Sequence, residues 1–217
     1  MRRLPPCLLP LVLVPVLAPV LAPVLALALL AACAAPPPEE KIETRVENPA
    51  EKLLLAGWYY EERNSPRPAE RLIREAIQIY QASGDRLGLG HAYRTYGLFL
   101  RSAAVRRAAE FYAEEGFLDP SITLDNRLAQ SIAYLERAAT LYEQEAAYGW
   151  VINAQLQLGY GHHFQKQTAQ ACAAFDRSLE VYQEHRSSTE ASIRLPPGES
   201  SYETFVAAMK DQSNCPK

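Results

Sequence analysis

The sequence predicts an all-α fold: an array of about three helical hairpins with one insert and a C-terminal capping helix. The first observation behind this is that one stretch occurs twice. Glu75-Ala76-Ile77-Gln78-Ile79-Tyr80 runs on to Ala92-Tyr93-Arg94-Thr95-Tyr96-Gly97, and Arg137-Ala138-Ala139-Thr140-Leu141-Tyr142 runs on to Ala154-Gln155-Leu156-Gln157-Leu158-Gly159. The offset is constant, since 138−76, 142−80, 154−92 and 159−97 all give 62. Partial copies stand at Asp176-Arg177-Ser178-Leu179-Glu180-Val181-Tyr182 and at Ala56-Gly57. Self-similarity of this kind marks architectures in which each unit buries its apolar face against the next. Two further observations agree: apolar residues recur at spacings of three and four, and clusters of Pro, Gly and small polar residues break the chain between them.

At 217 residues, 48% apolar and 22% charged, the chain has a globular composition. Its formal charge is −3. Leaving out Arg2 and Arg3, which fall in a proposed signal, gives 20 basic against 25 acidic residues, or −5. Such a balance offers no electrostatic footprint for nucleic acid.

Arg2-Arg3 precede an apolar run from Leu8 to Leu30 that ends in Leu30-Ala31-Ala32-Cys33. A positive start, an apolar middle and small residues before a break read as a secretory signal over residues 1–32. The run is long enough to span a bilayer, so an uncleaved anchor is an alternative. Pro10, Pro15, Pro19 and Pro23 count against it, because interior prolines delete backbone donors. Leu30-Ala31-Ala32-Cys33 resembles the lipobox of bacterial lipoproteins. That resemblance implies cleavage before Cys33, acylation of its thiol and new amine, and a mature chain of 185 residues (217−32). Each buried methylene would contribute about 0.8 kcal/mol to anchoring. Ala34 after the cysteine implies, by the same resemblance, an outer-membrane lipoprotein facing the periplasm. Ala32-Cys33-Ala34 also fits a soluble-export site. Residues 33–47, with Pro36-Pro37-Pro38-Glu39-Glu40, read as a stiff solvated tether.

The repeat region is expected over 48–186. Asn48-Pro49 reads as a cap and first-turn proline opening a helix through Leu53, Leu54, Gly57 and Tyr60 to about Arg63. After Asn64-Ser65-Pro66-Arg67-Pro68, a second helix is expected from Pro68, burying Leu72, Ile73, Ala76, Ile79 and Tyr80, and ending at Ser83-Gly84-Asp85. A third is expected from about Leu87 to Ser102. The glycine-to-small-residue distance is 19 in the first unit (76−57), 19 in the last (178−159) and 41 in the middle one (138−97). About 22 residues, roughly 103–124, are therefore inserted in the middle unit. They read either as an extension of the third helix or as a short extra helix with a loop through Pro120. The alternative takes Ala109 and Ala113 as the second helix of a normal-length unit. Residues 187–217 lose the pattern and hold a last helix near Tyr202 to Met209 that would cover the open end.

Leu53-x2-Ala56-Gly57-x2-Tyr60 followed by Ala69-x3-Ile73-x2-Ala76 resembles the tetratricopeptide repeat. Tyr93-x2-Tyr96-Gly97-x2-Leu100 opens a second unit, and Leu158-Gly159-x2-His162 with Ala171-x3-Phe175-x2-Ser178 a third. Gln155 and His162 depart from the pattern. The small residues would let the two helices of each hairpin approach closely. In that family the first helices of the hairpins line a concave groove that grips another protein or peptide segment. Helical spacing places His91, Arg94, Leu98 and Arg101 on one row. Sixty-two residues later the row is Asn153, Leu156, Tyr160 and His163, and forty earlier it is Glu51, Leu54, Trp58 and Glu61. Alternatively, Trp58 and Tyr160 pack under the insert or the terminal cap.

Catalytic and cofactor motifs are not evident. Gly88-Leu89-Gly90 lacks the third glycine and the preceding strand of a phosphate loop. His162, His163, Cys172 and His185 make a poor metal set, because adjacent histidines diverge by about 100° on a helix. Cys172 and Cys215 remain once Cys7 and Cys33 are assigned to the signal and the lipid site. In an oxidising compartment they would either bridge, closing a loop worth about 4 kcal/mol, or leave Cys172 buried and free. The functional expectation is a lipid-anchored envelope adaptor or scaffold without catalysis or cofactor. The alternatives are an immunity or inhibitor protein for an envelope-acting toxin or enzyme, and a structural spacer.

Overall fold

The structure, a computed structural model, describes residues 46–189 and 193–216. The signal segment, Cys33 and the tether through residue 45 lie outside the described residues. Those described form helices, with no strand among them, and no helix among them is long and apolar enough to cross a membrane.

Local chemistry fixes the helix ends. Asn48 Oδ1 accepts from the Ala50 amide at 2.9 Å, and Pro49 occupies the first turn of α1 (Pro49–Glu61). Asn64, left-handed at φ 53°, turns the chain into α2 (Pro66–Ser83), two residues ahead of the expected start. Pro68 fits there because its missing N–H falls in the first turn, where no intrahelical acceptor exists. Gly84 at φ 71° ends α2, and Asp85 Oδ1 takes the Gly88 amide at 2.8 Å to open α3 (Arg86–Leu100). The insert holds two short helices, α4 (Ala103–Arg107) and α5 (Ala109–Glu115). Then come α6 (Arg127–Gln144), α7 (Tyr148–Phe164), α8 (Thr168–Glu184), the single turn α9 (Arg186–Thr189) and α10 (Tyr202–Gln212). A reciprocal cap between Ser201 and Thr204 starts α10. Ala146, between α6 and α7, is left-handed at φ 51° and stands 62 residues after Gly84 (146−84), so the repeat extends to the turns.

Packing pairs α1 with α2, α3 with α6 and α7 with α8, while α2 lies against α3 and α6 against α7. The partner of α3 is thus α6, on the far side of the insert, and not the Ala109–Ala113 segment. One core cluster joins Tyr59, Leu72, Ile73, Ala76, Tyr96 and Phe99 to Val105, Tyr112, Phe117 and Ile122 of the insert. A second joins Leu135, Tyr142, Ile152 and Phe175 to Tyr202, Phe205 and Val206 of α10.

Two expectations need correction. Ile79 is exposed and Ile77 takes the core position, because the buried face runs through residues 69, 72, 73, 76, 77 and 80 and position 79 lies off it. Gly57 makes no close approach, since an added Cβ would meet nothing within 4 Å. Gly159 differs, as its Cβ would stand 2.3 Å from the Phe175 ring. Gly57→Ala is therefore expected to stabilise the fold by about 0.5–1 kcal/mol through helix propensity. Gly159→Ala should destabilise it by about 1–3 kcal/mol through overpacking. Urea midpoints of both variants check the contrast, and shifts in the same direction would refute it.

The insert is held by a buried carboxylate. Glu70 of α2, fully buried, accepts from the Tyr96 hydroxyl at 3.0 Å and the Leu118 amide at 2.7 Å, with the Arg67 guanidinium at 3.4 Å. Arg74 adds an ion pair to Asp119 at 3.0 Å. Burial is the largest influence on Glu70 and raises its pKa above the usual 4.5 despite these donors. The folded chain therefore binds this proton more tightly than the unfolded chain. The stabilisation is complete below the unfolded value and is lost as pH rises through the folded one. Glu70→Gln removes that slope, so urea unfolding between about pH 4 and 7 should show the variant gaining on wild type as pH rises. A pH-independent difference would count against this account.

Candidate functional site

The first helices of the three pairs stand side by side. Between α1 and α3 the Tyr60 and Phe99 rings meet edge to face at 5.9 Å. Between α3 and α7 the link is polar: Arg94 Nε donates to Asn153 Oδ1 at 2.6 Å, and Arg101 donates to the Gln157 carbonyl at 2.8 Å and to the Gln157 side chain.

Each of the three predicted rows has a different character. On α1, Glu51, Leu54, Trp58 and Glu61 are all exposed. Trp58 carries the Arg63 guanidinium 5.2 Å over its ring. On α3, His91 is half-buried, with Nδ1 2.9 Å from the Tyr142 hydroxyl and its ring 4.6 Å from Trp150. Leu98 packs on the second core cluster. On α7, Asn153 is held by Arg94, Leu156 is buried, and His163 lies edge-on to Phe164 at 5.8 Å. Tyr160 donates to Met209 Sδ at 2.9 Å, so α10 covers this end of the row.

Sulfur chemistry holds that cover in place. Cys172 of α8 is bonded to Cys215, just beyond α10, with their Cα atoms 5.6 Å apart. With Cys172 in the bridge, the remaining candidate metal ligands are dispersed: His162 pairs with Gln167, and His185 stacks on Tyr148 at 3.4 Å. Among the described residues, no group of three or more His, Cys, Asp or Glu could hold a metal ion.

The electrostatics of α3 are one-sided. Burial lowers Arg94 below its usual range, with Tyr142, Tyr60 and Glu61 opposing the effect. Burial and the neighbouring Arg94 charge lower Arg101 to about 10, which leaves its guanidinium cationic at neutral pH. Among the described residues neither arginine forms an ion pair, and their hydrogen-bond partners are neutral. Burial, then the Arg94 charge, lowers His91.

Sequence reasoning missed Trp150, Tyr148 and Gln157. Trp150 stands one turn before Asn153 on the same row, so extending the i, i+3 spacing backwards would have found it. Its ring lies 5.4 Å beneath the Arg94 guanidinium and stacks on Tyr142 at 5.9 Å. Tyr202 and Phe205, which share the second core cluster with Leu156, carry no repeat signal because α10 lies outside the repeat.

No protein-family model matches the chain, and no curated protein or solved structure is detectably similar to it.

Proposed function

We propose that the chain is a helical-repeat adaptor of tetratricopeptide type, tethered to the bacterial envelope by lipid on Cys33, whose first helices bind a segment of another protein. The observation that carries the reading is on α1. Leu54 and Trp58, about one turn apart on the predicted row, are 76% and 44% exposed. Tryptophan and arginine are the residue types that dominate interface hot spots, and Leu54 extends the exposed apolar surface beside Trp58. The repeated spacing of small and aromatic residues and the pairwise packing of the helices support the repeat assignment. The adaptor has no chemistry of its own and needs no cofactor.

A photoreactive residue at Leu54 should crosslink a discrete partner in intact cells. The same residue at Glu136, exposed on α6, should not. Trp58→Ala should weaken binding to that partner about 30-fold, the order expected of an aromatic anchor worth about 2 kcal/mol. Identical crosslinks from both positions, or unchanged affinity in the Trp58 variant, would overturn the assignment. Anchoring is tested separately. Cys33→Ser is expected to abolish palmitate incorporation and to leave the apolar run uncleaved, so that the chain migrates more slowly on a denaturing gel; palmitate labelling of the variant, or unchanged mobility, would remove the lipid anchor from the proposal.

A further inference from the structure

Between the first turn of α7 and the segment leading into α10 lies a cavity of about 610 Å³. That volume falls within the range of small-molecule sites. Its walls are mostly apolar, and Tyr148, Trp150, Tyr202 and Phe205 are the aromatic members. Among the described lining residues the charge is of one sign. Arg94 lines the inside and Arg194 stands exposed in the wall, while no Asp or Glu is among the described lining residues. Arg94 commits only Nε, to Asn153, and its two terminal nitrogens have no hydrogen-bond partner among the described residues. The beginning of α7 adds to this. Ala147 at the N-cap supplies no side-chain acceptor, and the Ala147–Trp150 turn is part of the lining. An uncapped helix start carries partial positive charge.

We propose that this cavity binds a small organic monoanion, a carboxylate carried on a flat apolar body. The fork of Arg94 can take the two carboxylate oxygens side by side, with Arg194 contributing from the rim. Trp150 and Phe205 offer faces or edges for a planar body, which also displaces water from an apolar wall. The site shares Arg94, Asn153 and Leu156 with the predicted rows but requires no protein partner on α1.

The test is calorimetric titration of the purified chain, disulfide intact, with 2-naphthoate and with 2-naphthamide, which keeps the shape and loses the charge. Naphthoate is expected to bind at least about tenfold more tightly than the amide, a difference of about 1.4 kcal/mol. In a Trp58→Phe background Trp150 is the remaining tryptophan, and its emission should change on binding. Arg94→Gln should weaken naphthoate at least about tenfold, and Arg94→Lys, which keeps the charge without the fork, by less. Should Arg94→Gln lower stability, Arg194→Gln at the exposed rim should still weaken binding severalfold. Equal affinity for acid and amide, unchanged affinity in the Arg194 and Arg94 variants, or no binding at millimolar ligand would overturn the proposal. A short peptide ending in Phe with a free carboxylate is the competing source of the same chemistry. Tighter binding of that peptide than of naphthoate would overturn the small-molecule assignment while leaving the crosslinking result untouched.

Discussion

Where α3 crosses α6, a Cβ on Gly97 would stand 2.9 Å both from Leu135 Cγ and from the Ser131 carbonyl oxygen; 62 residues on, a Cβ on Gly159 would meet the Phe175 ring where α7 crosses α8. No larger residue fits either crossing without displacing a core side chain, so these glycines set the spacing within the second and third helix pairs. Ser131 Oγ uses the approach by donating to the Gly97 carbonyl at 2.6 Å. With both pairs closed to this distance, α3 and α7 come near enough for arginine side chains to reach across. Arg94 and Arg101 then find amide partners on α7 where a wider gap would leave them in water.

The same constraint produces the unbalanced charge. Guanidiniums drawn into a seam between helices lose hydration, and here the seam returns only neutral acceptors. Opposite charge is supplied elsewhere in the fold. Glu70 sits on the α2 side among Arg67, Tyr96 and the insert, and Asp119 of the insert faces Arg74. The insert thus brings a second set of polar anchors and enlarges the first core with Val105, Tyr112 and Phe117. It lengthens the middle unit without disturbing the α3 to α6 crossing, because the chain leaves after Leu100 and returns at Arg127.

The helix pattern was legible because it rests on local chemistry: a cap and first-turn proline at Asn48-Pro49, a break at Ser83-Gly84-Asp85, and apolar spacing that named Leu72, Ile73, Ala76 and Tyr80 as core. Ile79 misled for the same reason, since a β-branched apolar residue one position off the stripe cannot be told from a core residue by hydropathy alone. Gly57 misled differently. The motif position predicts close approach, but α1 at the edge of the array has helices on fewer sides, and nothing presses on it there. The rows on α1, α3 and α7 could be read from helical spacing, whereas their accessibility could not. Burial of Leu156 and engagement of Tyr160 depend on a segment 40 or more residues later, tied by a bond between Cys172 and Cys215 whose alternatives the sequence left open.

That bond gives the face its asymmetry. Closing a loop of this length stabilises the folded chain by about 4 kcal/mol in the chain-entropy model. It also keeps α10 beside α7 at an effective concentration that a free polypeptide could hardly match. Tyr202, Phe205 and Val206 are buried against the second core as a consequence. A polypeptide competing for the α7 end of the row would have to displace a covalently tethered helix, while the α1 end presents Leu54 and Trp58 with no such competitor among the described residues. The cover does not fill the space beneath it. Trp150 of α7 already lies under the Arg94 guanidinium, and closing the α10 rings over it as well would further desolvate a charge that has no carboxylate partner among the described residues. The void thus sets the uncommitted terminal nitrogens of a partly dehydrated guanidinium beside apolar rings, and a flat anion would suit both.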